Sequence, residues 1–494
     1  MQKLEKILIA IFIFIQIILD MLRKTNFVNI EILNISILEL INILLVLGIF
    51  GIVFLKNIKS FKKYILYFII LFLYLVLHYY NTTLFSAEAY PLQQANFLIE
   101  TFHIFITYII PFILLISIQE SSIKKKDLID IIKYFAFFMS FLIVILNFFK
   151  LSYQAYDNGN IIKYNFFDWF TYQGDNYYEL TSKGLFYSGN QISAILLICL
   201  PITLLALYQE KKVKNYFFLG IQILAMYMLG TKVASLGIFL VFLAFFLIYI
   251  FSNLITKKEM QPIARIVTFA VVACACFLIS PLGINYRMEK TESYEDLNKN
   301  PDFLKIYQLN CNSSDLEEER DFINQFITDY KENLNIPDYI YEAYPTELDL
   351  KYWCVFLHNE ELPKNDYRIM KTNILNSIYQ KNNNKYDKWL GMGYTINYLY
   401  TEKDYSFQFY IYGIIGIIVL IGPFYFIILK NGIHILKDIK QKATIENLML
   451  LMAPLVGLLT AYFSGHILER SFPMLIIAIL TALSTKAIYE KEKD

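Results

Sequence analysis

The sequence predicts an all-α integral membrane protein with about twelve transmembrane helices and one large folded loop outside the membrane. Hydrophobic residues make up 57% of the 494 residues, charged residues only 18%, and the mean hydropathy is +0.45. Ordinary soluble domains carry about 25% charged residues, so this composition excludes a soluble globular protein. Apolar runs of spanning length alternate with short connections, and one long polar stretch at 282–406 interrupts them.

Twelve apolar runs are long enough, or nearly long enough, to cross a bilayer as helices that satisfy their own backbone hydrogen bonds. They lie near 5–20, 36–55, 64–80, 101–118, 129–149, 188–208, 215–230, 233–251, 264–281, 407–429, 446–463 and 470–488. Residues 1–20 carry two lysines, Lys3 and Lys6, before their apolar stretch, and no small-residue cleavage site follows. We therefore expect an uncleaved first span with a cytoplasmic N-terminus rather than a signal peptide.

The lysine and arginine content of the connections predicts the orientation, because cytoplasmic connections are the basic ones. Five connections carry three or four basic residues each: 56–63, 119–128, 209–216, 256–265 and 430–445. These connections and both termini are expected in the cytoplasm. The connection 81–100 contains no Lys or Arg and falls outside, as does the large loop. The connection 22–35 departs from the rule, since it carries Arg23 and Lys24 and must still be external.

Three regions follow from this topology: transmembrane helices one to nine over 1–281, the extracytoplasmic loop over 282–406, and helices ten to twelve over 407–494. The loop holds 22 acidic and 14 basic residues, which leaves the membrane portion basic and gives no nucleic-acid signal. Within 315–334, apolar residues recur at helical intervals and predict a helix, so the loop is folded. These residues are Phe322, Ile323, Phe326, Ile327 and Tyr330.

The cysteines and histidines predict no metal site and no cofactor. Cys311 and Cys354 both fall in the outer loop, where a disulfide can form, but the sequence leaves their connectivity open. The five histidines are scattered, without the spacing to cysteines or carboxylates that metal ligands need.

A short turn, MLGTKVASLG at 228–237, places Lys232 at the outer edge of the membrane. A cation at the membrane edge suits a lipid phosphate. The alternative is a lysine that snorkels or solvates a helix end.

The segment before the tenth span contains the densest group of unusual residues. Arg368 opens a stretch with apolar residues at helical spacing, so its guanidinium could offer a fork to a phosphate, or could be a solvated loop arginine. Gly391 and Gly393 of WLGMGY permit a close approach of the backbone to a partner, or only a turn. Glu402 and Asp404 place two carboxylates near the membrane surface, although acidic residues also favour the first turn of a helix.

The last outer turn, SGHILERSFP at 464–473, puts three ionisable residues between the final two spans: His466, Glu469 and Arg470. This is more than a connector needs. A histidine at this position could carry a proton, and the alternative is a hydrogen-bonded structural histidine.

Taken together, these segments resemble the O-antigen ligase and polymerase superfamily of bacterial surface-polysaccharide enzymes, especially the ligase-like members of low-GC bacteria. The resemblance covers most of the chain. It rests on GLFYSGNQISAILLICLPITLLAL at 184–207, on LGTKVASLG where relatives often carry Ser-Arg, and on an ordered series. That series is Arg368, WLGMGY, EKDYSFQFYIYGIIG and SGHILERSFP.

The resemblance implies a GT-C-like fold and a metal-independent glycosyltransferase of the bacterial inner (cytoplasmic) membrane. Such an enzyme takes a glycan from an undecaprenyl diphosphate carrier at the outer face and joins it to a hydroxyl of a glycan or lipid-anchored acceptor, as a polymerase or a ligase. Lys232 and Arg368 match basic residues expected to hold the diphosphate, and Arg470 is assigned with them to substrate binding. Lysine at 232 keeps the charge but loses the bidentate fork of arginine.

For the general base this chain departs from the family pattern. Many relatives carry a histidine motif just before the tenth span, where this chain has Glu402 and Asp404. A carboxylate can accept the proton of the acceptor hydroxyl in an inverting displacement. Asp404 is the preferred candidate, Glu402 the second and His466 the third.

Two other functional classes stay open. One is a transporter or flippase of lipid-linked oligosaccharide, but transporters usually carry ionisable groups within spans and have two related halves. The other is a non-catalytic envelope scaffold. In that case Lys232, Arg368 and Asp404 would be merely solvated, and substitutions there would leave glycan synthesis unchanged.

Overall fold

In the computed structural model the described residues form helices, joined by loops and by one antiparallel pair of two-residue strands, β1 (Asn29–Ile30) and β2 (Ile35–Ser36). The structure describes residues 2–23, 29–30, 35–86, 88–91, 97–157, 159–174, 176–257, 262–288, 301–334, 336–358, 367–393 and 401–489. The first twelve helices are α1 Gln2–Leu22, α2 Ile37–Lys56, α3 Ile58–Phe61, α4 Ile65–Thr82, α5 Phe97–Ile104, α6 Ile110–Glu120, α7 Lys125–Phe148, α8 Gly189–Gln209, α9 Val213–Leu229, α10 Lys232–Thr256, α11 Ala264–Cys276 and α12 Pro281–Met288.

The remaining helices are α13 Pro301–Gln308, α14 Arg320–Tyr330, α15 Asp338–Ala343, α16 Leu350–Leu357, α17 Tyr367–Asn382, α18 Asp387–Leu390, α19 Asp404–Leu420, α20 Gly422–Lys437, α21 Ile439–Lys442, α22 Ile445–Phe463 and α23 Ser471–Tyr489. A π-helical turn covers Phe105–Ile109. Turns of 3₁₀ helix cover Lys62–Tyr64, Phe166–Phe170, Tyr177–Leu180, Phe277–Ile279 and Ser314–Glu319.

Nine helical stretches of the described chain are long and apolar enough to cross a membrane, and a tenth is Ala264–Ile279 together with Pro281–Arg287, bent by 55°. The chain is therefore a multi-pass membrane protein, as predicted. Each predicted span overlaps a helix, but α1 contains Glu5, Lys6 and Asp20, and α9 has only 17 residues, so neither meets the same criteria. The number twelve stays a prediction.

Two compact units make up the chain. The first comprises 1–67, 101–290 and 420–494, and the second comprises 68–100 and 291–419. In the first unit, α8 and α23 are buried along nearly their whole length. α8 packs against α7, α9, α10 and α22, which places it at the centre of this unit. A helix that is hydrophobic on all sides is expected in such a position.

The second unit contains the helix predicted within 315–334. It is α14, and three of its predicted apolar residues are buried: Ile323, Phe326 and Ile327. Cys311 and Cys354 form a disulfide, which answers the question that the sequence left open. The segments 289–300, 359–366 and 394–400 of the predicted loop lie outside the described residues. The predicted topological regions 1–281, 282–406 and 407–494 stay predictions.

Arg23, the exception to the charge rule, is half-buried within the first unit. Its Nη2 donates to Ser471 Oγ at 3.2 Å and lies 3.9 Å from Glu39 Oε1. These protein contacts account for a basic residue in a connection predicted to be external. Lys24 lies outside the described residues.

Candidate functional site

An ion pair in the second unit joins two of the predicted site residues. Arg368 Nε donates to Glu402 Oε2 at 2.9 Å, and the Tyr367 hydroxyl donates to the same oxygen at 3.2 Å. The side chains of Arg368 and Glu402 are 27% and 13% exposed. Burial and the Glu402 carboxylate both raise the pKa of Tyr367, so its hydroxyl stays protonated and can donate. The guanidinium is therefore oriented by a carboxylate that the sequence did not pair with it.

The helix that carries Arg368 is anchored as its spacing predicts. Three apolar residues of α17 are buried: Ile374, Leu375 and Ile378. Ile369, which belongs to the same predicted apolar set, is exposed instead. The packed face of α17 holds Arg368 at the first turn of the helix.

Asp404 and Glu402 have different surroundings although only one residue separates them. Asp404 begins α19 and its side chain is fully buried. The positive end of the helix dipole favours a carboxylate at this position. Glu402 lies outside the helix and is engaged by Arg368 and Tyr367. The structure thus distinguishes the two carboxylates by their environment.

The described part of the WLGMGY motif, residues 389–393, lies against the backbone of α19. The Met392 amide donates to the Tyr410 carbonyl at 2.8 Å, and α19 is broken at Gly413, where φ is +67°. Gly391 has φ +84°, and a Cβ atom there would lie 2.0 Å from the carbonyl oxygen of Ile411. Of the two alternatives that the sequence left open, a close backbone approach or only a turn, the structure contains the close approach at Gly391. Its partner is a helix of the same unit.

A buried polar network of the second unit borders this motif, and sequence reasoning missed it. His78 Nε2 lies 2.9 Å from Glu100 Oε1, and His78 Nδ1 contacts the Leu390 carbonyl. Asn81 Nδ2 donates to Asp387 Oδ1 at 2.8 Å. The sequence could have indicated it through HYYN at 78–81, which places His78 and Asn81 at the end of an otherwise apolar helix. Ionisable residues within a span are rarely without a role.

Lys232 is the first residue of α10 in the first unit, and its side chain is exposed. Thr231 caps this helix: its Oγ1 accepts from the Ala234 amide at 3.1 Å and donates to Ser193 Oγ at 2.7 Å. A lysine at a helix N-terminus adds to the positive end of the dipole. This end of α10 therefore favours an anion more than a neutral helix start would.

The turn between α22 and α23, also in the first unit, is packed rather than solvated. Glu469 is buried, and so are Ile467 and Leu468. His466 has φ +68°, a left-handed conformation that a non-glycine residue holds only when its surroundings require it. The turn therefore fixes the position of His466.

A second ionisable cluster of the first unit surrounds Asp20 at the end of α1. Asp20 Oδ2 accepts from the Tyr187 amide at 3.0 Å, and Asp20 lies within electrostatic range of Arg23, Lys183 and Arg470. Lys183 is 1% exposed. Arg470 was predicted from the sequence as a site residue, but Lys183 was not. The sequence could have indicated Lys183, because it directly precedes the GLFYSGN motif.

The six predicted site residues divide between the two units. The second unit contains Arg368, Glu402 and Asp404, and the first contains Lys232, His466 and Arg470. The structure brings Arg368 and Glu402 into direct contact. The catalytic and binding roles of all six stay predictions.

One set of residues in the described part of the chain comes close enough together to hold a metal ion: Cys311, Cys354 and His358. His358 Nδ1 lies 3.1 Å from Cys311 Sγ. The expectation that no histidine lies near a cysteine was wrong here, because His358 follows Cys354 by one helical turn. Since thiolates are the metal ligands, the disulfide leaves this set without its two sulfur ligands.

A cavity of about 340 Å³ in the second unit is lined mainly by polar residues, among them Glu317, Arg320, Asp349 and Lys381. None of the six predicted site residues lines it.

Fold and site together define a multi-pass helical membrane protein with ionisable residues at helix ends and in the second compact unit. The chain belongs to the family of O-antigen ligase-like membrane proteins, whose family model matches residues 2–490. This confirms the resemblance seen in the sequence. Membership supports a role of the polysaccharide ligase or polymerase kind, in a glycosyltransferase-like enzyme. No curated protein and no solved structure shows a match to the chain.

Proposed function

We propose that this protein transfers a glycan from an undecaprenyl diphosphate carrier to an acceptor hydroxyl at the outer face of the bacterial cytoplasmic membrane. The family match over residues 2–490 carries this proposal. The proposal includes a topology of twelve spans with cytoplasmic termini, an extracytoplasmic loop at 282–406 and a GT-C-like fold. The acceptor is a glycan or a lipid-anchored molecule, so the enzyme is a polymerase or a ligase.

The proposed reaction is a single inverting displacement. The acceptor oxygen attacks the anomeric carbon of the donor sugar while a general base takes the hydroxyl proton. The bond between that carbon and the diphosphate oxygen breaks, and undecaprenyl diphosphate leaves with the bonding electrons. Cationic side chains stabilise the charge that develops on the leaving group.

Arg368, Lys232 and Arg470 are the proposed binding residues for the diphosphate. The contact with Glu402 supports this role for Arg368, because an oriented guanidinium needs little rearrangement to present its fork to phosphate oxygens. Lys232 supplies charge at the start of α10 without that fork.

Asp404 is the proposed general base, followed by Glu402 and then His466. The hydrogen bonds to Glu402 support this order, because Arg368 and Tyr367 both donate to its Oε2. Asp404 lies at the buried start of α19, where the positive end of the helix dipole favours a carboxylate.

The test is a gel of surface glycan and lipid-linked intermediates from cells that lack the gene, complemented with the wild type or with Arg368→Ala. A polymerase predicts loss of long chains and accumulation of single lipid-linked repeats. A ligase predicts long lipid-linked chains that remain unattached. Unchanged glycans in the deletion would overturn the proposal in favour of a scaffold or a transporter.

Two controls complete this test. Immunoblots of membrane fractions establish that Arg368→Ala inserts at the wild-type level. Transfer in isolated membranes is measured with and without EDTA, and we expect equal rates. Loss of transfer in EDTA that added metal restores would overturn the metal-independent mechanism.

A further inference from the structure

Lys371 lies on α17, one turn after Arg368, and is only 4% exposed. Its Nζ lies 5.0 Å from the ring centroid of Tyr339 and 5.2 Å from that of Tyr367. We call Lys371, Tyr339 and Tyr367 the lysine cage. Among the described residues no carboxylate forms an ion pair with Lys371.

Other lysines of the second unit have the opposite arrangement. Three that are 52%, 41% and 34% exposed each pair with a carboxylate: Lys305, Lys331 and Lys381. Removing an ammonium from water without an opposite charge is costly. Contacts with aromatic faces offset only a small part of that cost. Of these four lysines, the most buried is therefore the one to which the described residues supply no carboxylate partner.

The lysine cage adjoins the ion pair of Arg368. The Arg368 guanidinium carbon lies 5.9 Å from the ring centroid of Tyr367, and the hydroxyl of the same tyrosine donates to Glu402. Two cations and one carboxylate thus share one tyrosine. Among the described residues, Arg368, Lys371 and Glu402 together carry one net positive charge around Tyr367.

We infer that Lys371 is a further binding residue for a phosphate oxyanion and acts beside Arg368. The tyrosine faces hold the ammonium in place without neutralising it, so its charge stays available to an anion. This inference rests on the proposed function, in which the anion is the diphosphate of the lipid-linked donor. A phosphate-bearing ligand would supply the counter-charge that the described protein residues do not.

The test measures binding of inorganic pyrophosphate to the purified full-length protein in lipid nanodiscs by isothermal titration calorimetry. Lys371→Met should weaken binding by about tenfold or more, because a hydrogen bond to a charged group is lost. Lys371→Arg should retain most of the affinity. Lys385→Met is the matched control, because Lys385 also lies over a tyrosine ring, with its Nζ 4.9 Å from the centroid of Tyr386, but is exposed. The Lys385→Met variant should bind pyrophosphate as tightly as the wild type.

Wild-type affinity in Lys371→Met, or no binding of pyrophosphate to the wild type, would overturn the inference. Glucuronate is titrated in parallel, and tighter binding of glucuronate than of pyrophosphate would assign the site to an acidic sugar instead. Lys371→Gln replaces the Met variant if the latter fails to elute as a folded protein in gel filtration. Because this readout needs no glycan transfer, failure of the proposed function appears separately, in the glycan gel.

Discussion

Arg368 Nε lies 2.9 Å from Glu402 Oε2, and the two residues are held in this contact from different segments of the second unit. Sequence reasoning assigned Arg368 to the diphosphate and Glu402 to the list of possible bases. Their contact couples the two roles, because a change in one side chain alters the orientation of the other. A variant of Glu402 therefore tests the positioning of Arg368 as well as proton transfer.

Glu402→Gln should slow glycan transfer by about fivefold, because a neutral acceptor holds a guanidinium less strongly than a carboxylate does. The measurement is the initial transfer rate in isolated membranes with a saturating lipid-linked donor. Glu446→Gln is a control on a carboxylate at the start of the span predicted at 446–463, directly after a connection predicted to be cytoplasmic. A loss as large as that of Arg368→Ala would assign Glu402 a direct role in the reaction.

Asp404→Asn should lower transfer by at least about a hundredfold if the buried carboxylate is the general base. Binding of pyrophosphate should stay at the wild-type level, because the base does not hold the diphosphate. If Asp404→Asn retained near-normal transfer and Glu402→Gln lost most of it, Glu402 rather than Asp404 would be the general base. His466→Asn tests the third candidate in the same assay.

The helices were predictable because the cost of leaving backbone polar groups unsatisfied in a bilayer acts on each segment separately. The runs at 188–208 and 470–488, for example, correspond to α8 and α23. The site was predictable only as a set of residue types. Glu402 contacts Arg368 although 34 positions of sequence separate them, and Glu100 contacts His78 at a separation of 22 positions. Hydropathy and helical spacing carry no information on contacts between separate segments.

Gly391→Ala should destabilise the protein by about 3 kcal/mol or more, since the backbone there suits only glycine and the new Cβ would overlap the Ile411 carbonyl. Thermal unfolding of the purified protein measures this. Gly48→Ala is the matched control in α2, because a Cβ there meets no atom within 4 Å. An equal melting temperature for the two variants would contradict the close packing of Gly391 on α19.

The disulfide offers a test of orientation, because such bonds persist in oxidising compartments. The background for this test carries Cys274→Ser and Cys276→Ser, because these two free cysteines are partly or fully exposed. With Cys354→Ser added, the thiol of Cys311 should react with a membrane-impermeant maleimide added to intact cells. A cysteine placed by Lys440→Cys in a connection predicted to be cytoplasmic should react only after lysis. Labelling of Cys311 only after lysis would place the loop inside the cell.

The lowered pKa of Asp349 predicts how the stability of the second unit depends on pH. Three side chains donate to its Oδ2: the Tyr344 hydroxyl at 2.7 Å, the Ser377 hydroxyl at 2.6 Å and the Lys381 ammonium at 2.9 Å. Burial alone would raise the pKa of Asp349, but the hydrogen bonds together lower it below its ordinary value of 3.8. A carboxyl whose pKa is lower in the folded state stabilises the protein above its ordinary pKa. That contribution is lost as the pH falls through the folded value.

Asp349→Asn should therefore lower the free energy of unfolding by about 2 kcal/mol at neutral pH, and the difference from the wild type should shrink below about pH 4. Thermal unfolding of both proteins between pH 7 and about pH 3 gives the difference curve, in which carboxylates common to both cancel. Asp338→Asn is the control, because Asp338 is 69% exposed and meets Lys331 at the surface. A difference between wild type and Asp349→Asn that stays constant down to the lowest pH would show that Asp349 contributes through packing rather than through its charge.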